Sequence, residues 1–110
     1  MKEIRYHKLV RDRIPEIIEK DGKTCVCSVL SQQDYLTLLD QKLNEELTEY
    51  QESKALEELA DLLEVMYAVA SARGSSMEEV EAIRVKKREK RGGFENRILL
   101  ETVTCRDGEG

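Results

Sequence analysis

Two long helical patterns joined by a very short connection constrain the fold of this chain more than any other feature. Leucines recur at helical spacing over residues 31–52, and a second apolar helical pattern follows over residues 55–72. The Ser53-Lys54 connection leaves room only for a tight turn, so the two helices are expected to be adjacent and antiparallel. The fold is therefore expected to be mostly α and built around a helical hairpin.

A shorter helix is predicted on each side of this hairpin. The first covers residues 12–21, with Pro15 in its first turn and Gly22 at its end. The second begins at Ser76 and extends to about residue 91, because Ser76 and Glu79 form the pattern of a capping box. At the start of the first long helix, Ser31 and Asp34 form a weaker box of the same kind. The predicted array thus contains four helices.

Two short stretches predict strands instead. Residues 24–30 and 98–103 are rich in apolar and β-branched side chains and are expected to pair as a small two-stranded ribbon. With 110 residues and no linker, the chain is expected to form a single domain over residues 1–103. The polar residues 104–110 are expected to be a disordered tail.

Composition excludes several functional classes. A net charge of −5 disfavours a broad surface for nucleic-acid polymers, and no apolar run reaches the roughly 18–20 residues of a membrane span. The start of the chain lacks the apolar stretch of a signal peptide, so we expect a cytoplasmic protein. Zinc and iron–sulfur centres are disfavoured, because one histidine, His7, and three unclustered cysteines do not form the usual ligand sets.

Four acids form mirror-image pairs about the predicted turn. Glu46 and Glu49 are three residues apart before it, and Glu58 and Asp61 are three residues apart after it. In an antiparallel hairpin Glu49 would be level with Glu58, and Glu46 with Asp61. Four converging carboxylates repel one another unless protons or cations neutralise them. The spacing therefore indicates a candidate metal site.

Helical geometry separates these acids from their neighbours. With Leu43 at the centre of the apolar face, Glu46 is about 60° away, Glu49 about 120° and Glu45 about 160°. On the next helix Glu58 interrupts an apolar surface, whereas Glu57 and Glu64 are expected to face away. The inner face of that helix is predicted to consist of five apolar residues: Leu59, Leu62, Leu63, Met66 and Ala70.

Paired carboxylates suit a hard cation. Side chains three residues apart on a helix lie on one face and can share an ion, and Mg²⁺ or Mn²⁺ prefers carboxylate and water ligands. A solvated acidic face is the alternative interpretation, because a single Glu-x-x-Glu is common on charged helices.

These residues resemble the hallmark of a known superfamily. Glu46-Leu47-Thr48-Glu49 followed by Glu58-Leu59-Ala60-Asp61 is similar to the motif of the all-α nucleoside triphosphate pyrophosphohydrolases, the MazG and phosphoribosyl-ATP pyrophosphohydrolase-like proteins. The stretch from Tyr6 to Pro15 and the later Arg91-Gly92-Gly93-Phe94 resemble the opening and closing motifs of a small single-domain subgroup. The resemblance covers roughly residues 4–103. Eight residues separate Glu49 from Glu58, a shorter connection than in many members.

The resemblance implies an activity and a set of ligands. Members cleave a nucleotide between its α and β phosphates, so a nucleoside triphosphate yields the monophosphate and pyrophosphate, in a house-cleaning role. By position, Glu46, Glu49, Glu58 and Asp61 would hold Mg²⁺, and one of the four would accept the proton of the attacking water. Two alternatives stay open: phosphoribosyl-ATP pyrophosphohydrolase of histidine biosynthesis, and a non-catalytic helical interaction module.

Basic residues are candidates for contacts with the substrate's phosphates. Lys87 and Arg91 are one turn apart near the end of the last helix, and Lys8 and Arg11 lie near the start of the chain. For Lys87 and Arg91 the alternative is that basic residues simply complement the helix dipole. For Lys8 and Arg11 it is surface solvation.

The helix over residues 55–72 is apolar around more than half of its circumference. One hairpin in so small a chain cannot cover all of that surface. We therefore expect a homodimer or a higher homo-oligomer, in which a second copy completes a four-helix bundle.

Overall fold

The structure is a computed structural model and describes residues 2–106 and 108. The predicted mostly α fold is confirmed, and each helix begins and ends within two residues of its predicted bounds. Within the described residues the chain forms four helices: α1 (Ile14–Lys20), α2 (Gln32–Ser53), α3 (Leu56–Ala72) and α4 (Met77–Arg91).

Local capping explains why two of these helices begin where predicted. The Ser31 hydroxyl accepts a hydrogen bond from the Asp34 N–H at 3.2 Å, and the Ser76 hydroxyl accepts one from the Glu79 N–H at 3.3 Å. Each bond satisfies a backbone donor that the first turn of a helix leaves free. Because both caps involve residues only three apart, the sequence alone was sufficient to predict them.

Helices α2 and α3 form the antiparallel hairpin. Lys54 adopts a left-handed conformation with φ of 60°, and its N–H bonds to the Tyr50 carbonyl at 2.7 Å, which closes α2. At the opposite end of the hairpin the Gln32 side-chain amide donates to the Ala72 carbonyl at 3.1 Å. The first turn of α2 is therefore beside the last turn of α3, and the two helices are aligned along their whole length.

The apolar core is small and corrects the predicted inner face of α3. Leu39 of α2 and Val65 and Ala70 of α3 are the buried apolar side chains of the described residues. The predicted face was wrong in part, because Leu59 and Leu63 are 41% and 45% exposed. Since α3 is apolar around more than half of its circumference, its sequence could not show which part of that apolar surface α2 would cover. The covered side is the one that carries Val65.

The last helix is attached only at its beginning. Met77 and Val80 are half-buried, whereas residues 81–91 are all exposed. Together with α2 and α3, the first turns of α4 form an apolar cleft of about 390 Å³. Six apolar side chains line it: Leu43, Met66, Val69, Ala70, Met77 and Val80.

The predicted two-stranded ribbon is not formed in the described part of the chain. Residues 24–30 and 98–103 have no regular secondary structure, and Val26, Val29 and Ile98 are largely or fully exposed. A strand needs a partner to satisfy its backbone donors and acceptors, and neither segment has one here.

The predicted disordered tail falls partly outside the described residues. Three residues of the predicted tail over 104–110, at positions 107, 109 and 110, lie beyond the described residues. None of the four helices in the described part of the chain combines the length and apolar character needed to cross a membrane.

Candidate metal centre

The hairpin brings acids from both helices together. Glu46 of α2 and Glu58 and Asp61 of α3 each offer a carboxylate oxygen, and these oxygens lie within 4.8 Å of one another. Side chains three apart on α3 share one helical face, and the antiparallel alignment places that face opposite Glu46. The mirrored spacing in the sequence thus becomes a compact group of three acids, called here the acid cluster.

Glu46 is the least expected member of this cluster. Glu46 is only 7% exposed, whereas acidic side chains are rarely buried. Oε1 lies 3.7 Å from Lys42 Nζ, but Oε2 is buried and has no hydrogen-bond partner among the described residues. An unsatisfied buried carboxylate oxygen costs free energy, and a bound cation beside it would remove that cost.

Glu49 lies at the edge of the cluster instead of inside it. Its side chain is exposed, and it is outside the group of three acids whose oxygens all lie within 4.8 Å of one another, although it neighbours both Glu46 and Glu58. Burial raises the pKa of the Glu46 carboxyl, and the neighbouring Glu49 raises it further. Loss of hydration likewise raises the pKa of Glu58, with the charges of Glu49 and Asp61 adding to the effect. All four predicted acids therefore interact electrostatically.

Two basic side chains partly neutralise these acids. The Arg11 guanidinium donates from Nη2 to Asp61 Oδ1 at 2.7 Å. Lys42 Nζ lies between Glu46 and Glu45, 3.7 and 3.5 Å from their nearest carboxylate oxygens. The sequence predictions did not include Lys42, although its spacing of four residues before Glu46 on one helix was a signal for the contact.

The remaining predicted phosphate-binding residues are not joined to the acids by a described contact. Lys8 is exposed in the segment before α1, and Lys87 and Arg91 are on the exposed part of α4. Of the four basic candidates, the structure therefore brings only Arg11 to the acid cluster among the described residues.

The donor set suits a hard divalent cation. Every donor is a carboxylate oxygen, which is the ligand that Mg²⁺ and Mn²⁺ favour. When Glu46, Glu49, Glu58 and Asp61 are ionised, Arg11 and Lys42, which also pairs with Glu45, offset at most half of their charge. A divalent ion would reduce the repulsion that remains.

Comparison with known proteins assigns neither a family nor an activity. No protein-family model matches the chain, and no solved structure matches it either. An uncharacterized protein of Mycolicibacterium smegmatis is 52% identical over 42 residues, a stretch that covers 38% of this chain and 43% of that protein. The chain thus aligns with less than half of this relative's length.

Proposed function

We propose that the protein is a Mg²⁺-dependent nucleotide pyrophosphohydrolase that cleaves the α–β phosphate bond of a nucleoside triphosphate. One observation carries the proposal: Glu46 is buried with an unpaired carboxylate oxygen, in a group that also contains Glu58 and Asp61. Burial of an acid is costly on a solvated acidic face, whereas in a cation site the bound ion offsets that cost. The resemblance of the four acids to the pyrophosphohydrolase hallmark supplies the reaction.

The proposed roles follow from the position of each acid. Glu46, Glu58 and Asp61 would hold the ion, which when bound would polarise phosphate oxygens and acidify a water molecule. Glu49 is exposed beside the cluster, so it is our candidate to accept the proton of that water. The water oxygen bonds to the α phosphorus, the bond from this phosphorus to the bridging oxygen breaks, and pyrophosphate leaves.

An apolar cleft near the acids supports a nucleotide substrate over pyrophosphate alone. Leu43, which lines the cleft, lies three residues before Glu46 on α2, about one helical turn away. The volume of about 390 Å³ falls within the usual range of small-molecule sites, roughly 300–1,000 Å³. The nucleobase would enter this cleft while the phosphates reach the acids.

A second copy is part of the proposal. Helix α3 carries an exposed apolar stripe formed by Leu59, Leu63 and Tyr67. A solvated helix face is expected to carry charged side chains instead. A second hairpin packed on this stripe would complete a four-helix bundle. The predicted ribbon would form in the same assembly. Its two segments, residues 24–30 and 98–103, are largely exposed in the single chain and could pair there.

One assay tests the activity. The protein is incubated with Mg²⁺ and a panel of nucleoside triphosphates together with phosphoribosyl-ATP, and the products are separated. We expect a monophosphate and pyrophosphate, with a loss of at least about 100-fold for Glu58→Gln or Asp61→Asn. Glu64→Gln, an exposed acid on the same helix, serves as the control and should retain activity.

Three results would count against the proposal. Release of orthophosphate and a diphosphate would exclude α–β cleavage. Full activity in Glu58→Gln would exclude the site. No turnover of any substrate, with no stabilisation by Mg²⁺, would favour a non-catalytic interaction module.

A further inference from the structure

Arg11 reaches the acid cluster from a distant part of the chain. It lies in the segment before α1, and its Nη2 is 2.7 Å from Oδ1 of Asp61, fifty residues away in sequence. The Arg11 carbonyl accepts the Ile14 N–H at 3.0 Å in the turn that leads into α1. The long arginine side chain can change its partner without breaking this hydrogen bond.

The ion pair between Arg11 and Asp61 can be exchanged for other partners. The two side chains are 59% and 44% exposed, and an ion pair so open to solvent adds little stability. Asp61 also belongs to the acid cluster, together with the unpaired Oε2 of the buried Glu46. A divalent ion bound there would coordinate a carboxylate oxygen of Asp61 and repel the guanidinium at close range.

A guanidinium displaced in this way would have an obvious new partner. Arginine presents planar, paired donors that match the oxygens of a phosphate, and it stays charged at all physiological pH values. Phosphates bound at the acid cluster would lie within reach of a side chain that already contacts Asp61.

We propose that Arg11 is a substrate-phosphate-binding residue which Asp61 holds in the metal-free protein and which Mg²⁺ releases. The inference rests on the proposed function, since it requires both the ion and a phosphate substrate. It makes Arg11 a competitor of the metal and a partner of the substrate. Metal binding would then prepare the site for phosphate, because the ion that occupies Asp61 also frees the arginine.

Calorimetric titration of Arg11→Gln with Mg²⁺ alone tests the competition. We expect the variant to bind Mg²⁺ about two- to fivefold more tightly than the wild type, the factor that corresponds to an exposed ion pair of up to about 1 kcal/mol. The Mg²⁺-loaded variant should bind inorganic pyrophosphate at least about fivefold more weakly, since it lacks a charge-assisted contact.

Arg88→Gln is the matched control. It removes the same charge and a comparable exposed ion pair, with Glu95 at 2.6 Å, and should bind both ligands as the wild type does. Equal or weaker Mg²⁺ binding by Arg11→Gln, or unchanged pyrophosphate binding, would overturn the inference. So would equal shifts in both variants.

The outcomes also separate this inference from the proposed function. If the wild type hydrolyses nucleotides but Arg11→Gln binds Mg²⁺ and pyrophosphate as Arg88→Gln does, the proposed function stands and the exchange of Arg11 does not. A protein that hydrolyses nothing but shows both expected shifts retains the exchange and loses the function. Absence of Mg²⁺ binding in the wild type and in Arg11→Gln would overturn both.

Discussion

Glu46 on α2 and Asp61 on α3 lie opposite each other across the hairpin, with carboxylate oxygens within 4.8 Å. Fourteen residues of chain separate the two acids, and only the antiparallel register makes them neighbours. Their proximity costs stability in the absence of a cation, because like charges repel and Glu46 is largely removed from water. Several measurable consequences follow from this cost.

Replacing Glu46 should change the stability in opposite directions with and without metal. In a chelating buffer we expect Glu46→Gln to stabilise the fold by about 1 kcal/mol, because the charge leaves a buried position with an unpaired oxygen. That gain corresponds to a rise in Tm of roughly 4–8 °C. With excess Mg²⁺ the order should reverse, since the variant lacks a ligand and gains little from the ion.

Differential scanning calorimetry measures both conditions, with Glu64→Gln as the exposed-acid control. The control should stay within about 0.5 kcal/mol of the wild type in each buffer. A destabilised Glu46→Gln in the chelating buffer would contradict the idea that Glu46 is a liability without a cation.

The metal-free protein should become more stable as the pH falls from neutral towards the ordinary glutamate pKa of 4.5. Burial raises the pKa of Glu46, and loss of hydration raises that of Glu58, above their ordinary value of 4.5. The folded protein thus keeps protons that the unfolded chain has lost. Stability from these two groups is fully present below the unfolded pKa and is lost as the pH rises through the folded one.

Urea unfolding at several pH values checks this slope. The arginine-paired Glu81 and Glu95 have lowered pKa values, so their contribution is lost only below about pH 4.5 and does not oppose the trend. The double variant Glu46→Gln/Glu58→Gln should show a flatter dependence than the wild type over the same range. Identical slopes would show that other groups control it.

Leu39→Ala should be the most damaging truncation of an α2 leucine. Leu39 is 3% exposed in a very small core, so its loss should cost about 2–5 kcal/mol. Leu56→Ala, at a side chain that is 78% exposed, should cost less than about 0.5 kcal/mol in a single chain. Chemical denaturation followed by circular dichroism gives both values, and similar costs at the two positions would contradict the observed packing.

Leu63→Glu should separate the proposed oligomer without unfolding the hairpin. Leu63 is 45% exposed in the single chain, so a charge is tolerated there, whereas it would be buried against a second copy. Size-exclusion chromatography with light scattering should show a smaller mass for the variant at unchanged helicity. A wild-type monomer at micromolar concentration would refute the predicted bundle.

Local signals explain which parts of the fold were predictable. The helix starts at Ser31 and Ser76 depend on a hydroxyl and a backbone N–H three residues away, so the sequence alone predicts them. The ribbon of residues 24–30 and 98–103 depends on pairing between distant segments, which local composition does not fix. The predicted ribbon is not formed in the described residues of the single chain.

The sequence by itself determined the four helices, the tight turn and the mirrored register of Glu46, Glu49, Glu58 and Asp61. Tertiary structure decided which face of α3 packs against α2, because an apolar surface that covers more than half of a helix does not specify which part of it is buried. That choice buries Glu46, leaves Glu49 at the edge, and leaves Leu63 exposed. Tertiary structure also brings Arg11 to Asp61, a contact between segments fifty residues apart that no local pattern predicts.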